Sequence, residues 1–428
     1  MAIELSSLTF TNKADIVPAF GTEQILNTGI TNTLAGDEII NGKSGNSNPG
    51  VGVPAPKGGV VNTGTLNTDG GNDRLTGIFN DPTNNSFTGY GIYNVEGIID
   101  TGEGNDILTG IGIDRGILGQ SGTLNTGNGN DTITGTGFFG IENNWDTFNT
   151  GDGSDIITGI GTKFGGILNY RPINTGDGND IITGTTSSGS GITNSSNGTI
   201  NTGDGNDIIT AIGNYYILYN NGTINTGNGN DSIIAEHNGN LPLYSSVNDG
   251  TIDTGSGNDS IILQGGLYNS GGLFLGEGND SLALTASKYF PNRALDNYNV
   301  IETGDGDDII TSTGVIYNEG VFSEGVINTG NGKDSIIADG GFEGSGNVFL
   351  GNGKDYLKGF GNGNFNGGNG KDTLELTSGS YTVGISGTTI NFTKGSSIMI
   401  TSEFEKLIAG SRTYDFTSLT GGQIISVA

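Results

Sequence analysis

The 428-residue chain has no cysteine, one histidine, one tryptophan, and 16 lysines and arginines against 45 aspartates and glutamates. Without cysteine there are neither disulfides nor thiolate metal sites. The net charge of −29 makes nucleic acid and anionic membranes poor partners, because both demand a basic patch. Hydrophobic residues, glycine not counted, make up only 32%, against roughly 38–43% in ordinary domains once glycine's share of about 7% is taken out of their apolar fraction. A thin, elongated core fits that shortage better than a large spherical one. No apolar run approaches the roughly 18 residues of a membrane span. The stretch Met1 to Phe10 shows neither the basic nor the apolar region of a cleavable signal peptide.

Glycine, by contrast, numbers 82, about a fifth of the chain against a usual share of roughly 7%. Much of it lies in a phrase of the type T-G-x-G-N-D-x-[IL], repeated thirteen times with its aspartate at Asp73, Asp106, Asp131, Asp155, Asp180, Asp207, Asp231, Asp259, Asp280, Asp308, Asp334, Asp355 and Asp372. Two residues after each aspartate stands Ile or Leu, from Leu75 to Leu374, and seven before it an apolar residue, from Leu66 to Phe365. Glycine always stands two before. An apolar residue, a short glycine turn and a second apolar residue describe two strands meeting at a sharp corner, with glycine supplying positive φ. The Ile- and Thr-rich flanks favour strand.

Successive aspartates lie 17 to 33 residues apart, about 25 on average. A second signal, G-[IV]-x-N, often follows, as in Gly91-Ile92-Tyr93-Asn94. One fixed corner per coil with tolerant loops elsewhere predicts an all-β fold, a right-handed parallel β-solenoid with one glycine-rich turn per coil. Stacked about 4.8 Å apart, the aspartates would form a ladder of like charges along one edge, which is costly without counter-ions. Oxygen ligands without His or Cys favour Ca²⁺.

The phrase resembles the calcium-binding nonapeptide G-G-x-G-x-D-x-U-x of the RTX, or hemolysin-type, family over residues 68–376. The resemblance implies several calcium ions held between coils by the thirteen aspartates and by turn carbonyls such as those of Gly102, Gly104, Gly127, Gly129, Gly203 and Gly205. It also implies type I secretion without a cleaved signal peptide, an extracellular or cell-surface location, and folding on Ca²⁺ outside the cell. The segment Glu403 to Leu407 with Tyr414-Asp415-Phe416 resembles that family's C-terminal cap and secretion region. Two departures stand out. Thr usually replaces the first glycine, and one phrase per coil of about 25 residues implies a single calcium row on a wider coil than the family's 18-residue, two-row roll. Lys333, Lys354 and Lys371 replace asparagine beside the last three aspartates, where the ammonium is expected to stand in partly for the ion.

Residues 1–60 read as an N-terminal cap and first degenerate coil around Gly36-Asp37-Glu38-Ile39-Ile40, with a proline-bearing loop from Ser44 to Lys57. Residues 61–376 are the repeats and 377–428 the C-terminal cap. His237 reads as a solvated loop residue, and no G-x-S-x-G elbow accompanies it. The leading expectation is a non-enzymatic structural or adhesive protein, with surface polysaccharide or extracellular matrix as partner. One alternative is a calcium-assisted polysaccharide lyase or epimerase, with Arg171, near Tyr170 and the Asp155 and Asp180 turns, as its basic residue. Another is an ice- or mineral-surface binder using a carboxylate face or an outward row of Thr126, Thr150, Thr175, Thr202 and Thr226, residues that better suit hydroxyl support of the turn. Tyr215, Tyr216 and Tyr219 suit either sugar contact or filling of a widened coil.

Overall fold

The structure, a computed structural model, describes residues 2–17, 23–44, 57–81, 88–238, 246–286, 292–319 and 325–428. The expected loop from Ser44 to Lys57 lies, apart from its two end residues, outside the described residues. Two compact units form, residues 1–227 with 235–240, and residues 228–234 with 241–428. Among the described residues the only helices are two single 3₁₀ turns, Leu5–Ser7 and Phe416–Ser418, so no helix is long and apolar enough to cross a membrane.

Each unit is a parallel β-solenoid. In the first, the three-residue strands Thr65–Asn67, Ile98–Asp100, Thr123–Asn125, Thr147–Asn149, Pro172–Asn174 and Thr199–Asn201 form one parallel row. After the glycine turn a second row runs in register through Arg74–Phe79, Ile107–Ile111, Thr132–Asn144, Ile156–Asn169, Ile181–Thr186 and Ile208–Gly213. Alternation puts the Ile or Leu two residues past each aspartate inside, where all thirteen are at most 3% exposed. The apolar residues seven before the aspartates are buried just as deeply. These two inward columns are the thin core that the composition implied. At roughly 25 cal/mol per Å², each fully buried Ile or Leu contributes on the order of 2 kcal/mol.

The G-[IV]-x-N signal makes a third strand per coil, and its asparagine points inward. Asn143 donates through Nδ2 to Oδ1 of Asn169 at 2.6 Å, Asn169 to Asn194 and Asn194 to Asn220 at 2.8 Å. The second unit repeats the ladder from Asn248 through Asn269 and Asn297 to Asn318. Buried amides are costly unless paired, and stacking satisfies donor and acceptor together. The ladder breaks at Gly119, which pairs in register with Asn94 and Asn143. The Trp145 indole, fully buried, occupies that place, and a Cβ on Gly119 would lie 2.0 Å from its ring.

In the second unit the parallel stack ends where Lys406–Ala409 pairs with Thr373–Leu376. The chain then turns antiparallel, with Gly379–Ser386, Thr389–Lys394 and Ser397–Ser402 forming a meander and Ile424–Val427 pairing back onto its first strand. Antiparallel strands with short turns close a stack that would otherwise expose an open edge.

Candidate functional site

The glycine turn builds the site. Gly102 and Gly104 have φ of +86° and +141°, and Gly127 and Gly129 of +82° and +144°. The stacking makes glycine necessary as much as the dihedrals do. A Cβ on Gly104 would lie 1.5 Å from the Gly71 carbonyl oxygen, and one on Gly129 1.6 Å from that of Gly104. Gly203 and Gly205 repeat the geometry against Gly176 and Gly178.

The aspartates form a ladder, and it is buried: from Asp73 to Asp372 the thirteen are 0–2% exposed. The reason lies in the backbone. At the corner, the amide N–H of each aspartate faces the next coil, and the carboxylate there accepts it through Oδ1. Asp73 N–H donates to Asp106 at 2.7 Å, Asp106 to Asp131, Asp131 to Asp155, Asp155 to Asp180 and Asp180 to Asp207 at 2.8 Å. The second unit runs likewise from Asp231 through Asp259, Asp280, Asp308, Asp334 and Asp355 to Asp372. Glutamates stand at the ends, because Glu38 donates its N–H to Asp73 and Asp372 donates to the Glu405 carboxylate at 2.7 Å. Glu38 lay within the degenerate phrase, and its place two residues before Ile40 was the available signal. Glu405 carries the same offset from Leu407, which pairs in register with Leu374, but no glycine turn precedes it to mark the phrase.

The second oxygens are left over. Oδ2 of Asp106, Asp131, Asp155 and Asp180, and of Asp259, Asp280, Asp308, Asp334, Asp355 and Asp372, is buried without a hydrogen-bond partner. At Asp106, Asp131, Asp155 and Asp180 the threonine five residues before sits beside the carboxyl and favours the charged form. Its one hydrogen goes to the next coil, however, since Thr126 donates to the Thr150 carbonyl and Thr150 to that of Thr175, both at 3.3 Å. Burial wins over these contacts. It pushes Asp106, Asp131 and Asp180 up to about 7 and Asp155 to about 6. Asp280 and Asp334 rise to about 7, Asp259, Asp355 and Asp372 to about 6, and Glu38 to about 8 for the same reason.

Thr126, Thr150, Thr175, Thr202 and Thr226 are themselves fully buried. They support the turn and form no outward row. The exposed side of the turn carries two other columns. One holds Asn105, Asn130, Asn179 and Asn206; the side-chain oxygens of the first three receive amides of the following coil, as Asn130 N–H donates to Asn105 at 2.7 Å. The other holds Glu103, Asp152, Asp177 and Asp204. In the second unit the amides of Glu277, Asp305 and Asn331 donate to the glycine carbonyls of Gly255, Gly276 and Gly304. The equivalent amides of Asp152, Asp177 and Asp204 turn instead to the side chain of the preceding coil's residue. Lys333, Lys354 and Lys371 are exposed on the outer edge and do not reach inward in place of an ion.

Among the described residues no three His, Cys, Asp or Glu side chains converge on one point. A cation here would draw on one or two carboxylates per step and on main-chain oxygens.

The alternative chemistry finds less. Arg171 is exposed and makes no ion pair among the described residues. Arg115 instead sits in a cleft with Tyr90, Tyr93 and Gln120, its guanidinium engaged by both Asp114 and Glu142. The His237 ring is half-buried, with Nδ1 3.1 Å from the Gly213 carbonyl oxygen, so Nδ1 carries the hydrogen. Tyr215 is 42% exposed and packs on Tyr216, which packs on Tyr219. The Tyr215 ring therefore lies on the surface and fills no coil.

No family model matches the chain, and no curated protein sequence matches it. Among solved structures it is similar to a hyperactive, Ca²⁺-dependent, β-helical antifreeze protein from an Antarctic bacterium, at 17% identity and a TM-score of 0.33, over 88% of this chain and 77% of that one. So loose an overlap carries nothing about this chain's function.

Proposed function

We propose that the chain is a calcium-folded extracellular β-solenoid whose aspartate columns are cation rows, a scaffold with a structural or adhesive role. The observation that supports this reading is the column of buried carboxylate oxygens without hydrogen-bond partners. An ionised carboxylate out of water is tolerated only when paired or bound to a metal. A hard dication takes carboxylate and carbonyl oxygens together, and Ca²⁺ accepts irregular sets of six to eight where Mg²⁺ demands a near-ideal octahedron. Asp106, Asp131, Asp155 and Asp180 would supply Oδ2. The carbonyls of Gly127, Gly151 and Gly176, released from the amide bond that their second-unit counterparts accept, would supply further oxygens. Bound, the ion cancels the repulsion between adjacent carboxylates and makes stacking favourable.

The RTX resemblance fits this reading. Low cytosolic calcium would leave an acidic, glycine-rich chain unfolded for type I export, and external calcium would fold it. The test is far-ultraviolet circular dichroism and Trp145 emission during a calcium titration from excess chelator at pH 7.5. Strand signal and a blue-shifted emission appearing together with Ca²⁺, and not with equimolar Mg²⁺, are expected. A chain already folded in chelator and unmoved by calcium would refute the proposal.

A further inference from the structure

The calcium reading leaves one feature of the first unit unused. Past each aspartate the strand alternates, and the residues one, three and five places on face outward. Over five consecutive coils these are Ile107, Thr109 and Ile111, then Thr132, Thr134 and Thr136, then Ile156, Thr158 and Ile160, then Ile181, Thr183 and Thr185, then Ile208, Thr210 and Ile212. The strands pair in register, so Thr109, Thr134, Thr158, Thr183 and Thr210 form one column, with a column of Ile and Thr on either side. Every one of these fifteen positions is Ile or Thr. Ile107, Ile111, Ile156, Ile160 and Ile208 are 36–41% exposed.

A preference of strands for β-branched residues is the plain explanation, and the second unit weighs against it. The same positions there hold Ser260 and Ile262, Ser281 and Ala283, Ile309 and Thr311, Ser335 and Ile337, and Tyr356 and Lys358. The same kind of coil therefore stacks without the pattern, and the fold does not require it. An unbroken restriction to Ile and Thr over fifteen adjacent outward positions calls for another cause.

The chemistry of the grid narrows the occupant. It has no charge for ions, minerals or polyelectrolytes, no aromatic ring for stacking on sugar, and no pocket or protruding anchor of the kind that dominates protein interfaces. What it has is periodicity in two directions, about 4.8 Å between coils and about 6.6 Å between alternate residues of a strand. Each threonine offers a methyl and a hydroxyl at fixed places. From this we infer that the Ile/Thr face of the first unit binds ice, the ordered water on the grid merging with the crystal lattice. The inference rests on the stacked strands and not on the calcium rows.

The experiment uses the full chain, labelled with a fluorophore, in calcium buffer with its fold checked by circular dichroism. Uptake into a growing ice hemisphere and thermal hysteresis are the readouts. The folded protein is expected to enter the ice and to give hysteresis. Thr158→Tyr, at the centre of the grid, is expected to cut hysteresis several-fold without changing the dichroism. Thr311→Tyr, in the equivalent column of the second unit, should leave it unchanged. Should Thr158→Tyr lose its fold, Thr158→Ser replaces it and is expected to give a smaller loss, since only the methyl goes. Exclusion of the folded protein from ice overturns the inference, as does full hysteresis in the folded Thr158 variant. Self-association abolished by Thr158→Tyr, without ice uptake, also overturns it and assigns the face to a second copy of the chain. A chain that folds without calcium would sink the calcium proposal and leave this test standing.

Discussion

Raising the pH in the absence of calcium should unfold this protein. Asp106, Asp131 and Asp180 hold their protons up to about 7 and Asp155 to about 6, whereas an unfolded aspartate releases its proton near 3.9. For an acid whose folded-state pKa is raised, the stabilisation is complete below the unfolded value and is lost as pH rises towards the folded one. Each of the four departs by roughly two to three pH units, on the order of 3–4 kcal/mol of differential interaction. Together they reach on the order of 10 kcal/mol, comparable to the whole stability of a domain, about 5–15 kcal/mol. In excess chelator the melting temperature should therefore fall steeply between pH 5 and pH 8, with the first unit unfolded at the upper end. Calcium at pH 8 should reverse the loss, since each site at a hundredfold excess over its Kd contributes about 2.7 kcal/mol. Relief of the chain's general negative charge also favours acid pH. Asp131→Asn separates the two causes: it should raise stability at pH 8 in chelator by on the order of 3 kcal/mol and weaken the calcium response. The exposed Asp152→Asn should do neither. The assay is thermal unfolding followed at Trp145. A melting temperature in chelator that stays flat or climbs from pH 5 to pH 8 would refute the reasoning.

Three further outcomes follow from the packing. Gly129→Ala places a methyl on the Gly104 carbonyl at positive φ and should abolish cooperative unfolding of the first unit, whereas Gly387→Ala, with open space around it, should cost only about 1 kcal/mol; paired denaturant curves decide. Asn169→Ala leaves Nδ2 of Asn143 and Oδ1 of Asn194 without their ladder partner and should cost about 1–3 kcal/mol, read as a lower denaturant midpoint at unchanged slope. Gly119→Asn restores the residue that the ladder elsewhere carries, yet should destabilise because Trp145 fills the space. In a double-mutant cycle, Trp145→Ala should rescue it in part, and additive effects would remove Trp145 from the explanation.

Much of this architecture was legible because the repeat fixes offsets. The buried Ile or Leu two past each aspartate, the apolar residue seven before it and the turn glycines could each be assigned from spacing alone. The inward turn of the aspartates was not legible. An acid at a glycine corner normally faces water, and only the stacked backbone shows that the amide of Asp106 needs the carboxylate of Asp131. The G-[IV]-x-N asparagine was visible as a pattern, but its role needs the register that aligns Asn143, Asn169 and Asn194 across coils of unequal length. For the same reason the outward Ile/Thr grid is invisible until Thr109 is known to lie beside Thr134. Threonine at the turn start drew attention instead to Thr126 and Thr202, which are buried.

The most direct test of the central claim is a crystal structure grown in calcium, with anomalous scattering used to locate the ions. A row of Ca²⁺ between successive coils of the first unit, each touching Oδ2 of a buried aspartate such as Asp131 or Asp155, is the predicted result. Buried aspartates without ions, or calcium confined to the exposed acids Asp152, Asp177 and Asp204, would contradict it.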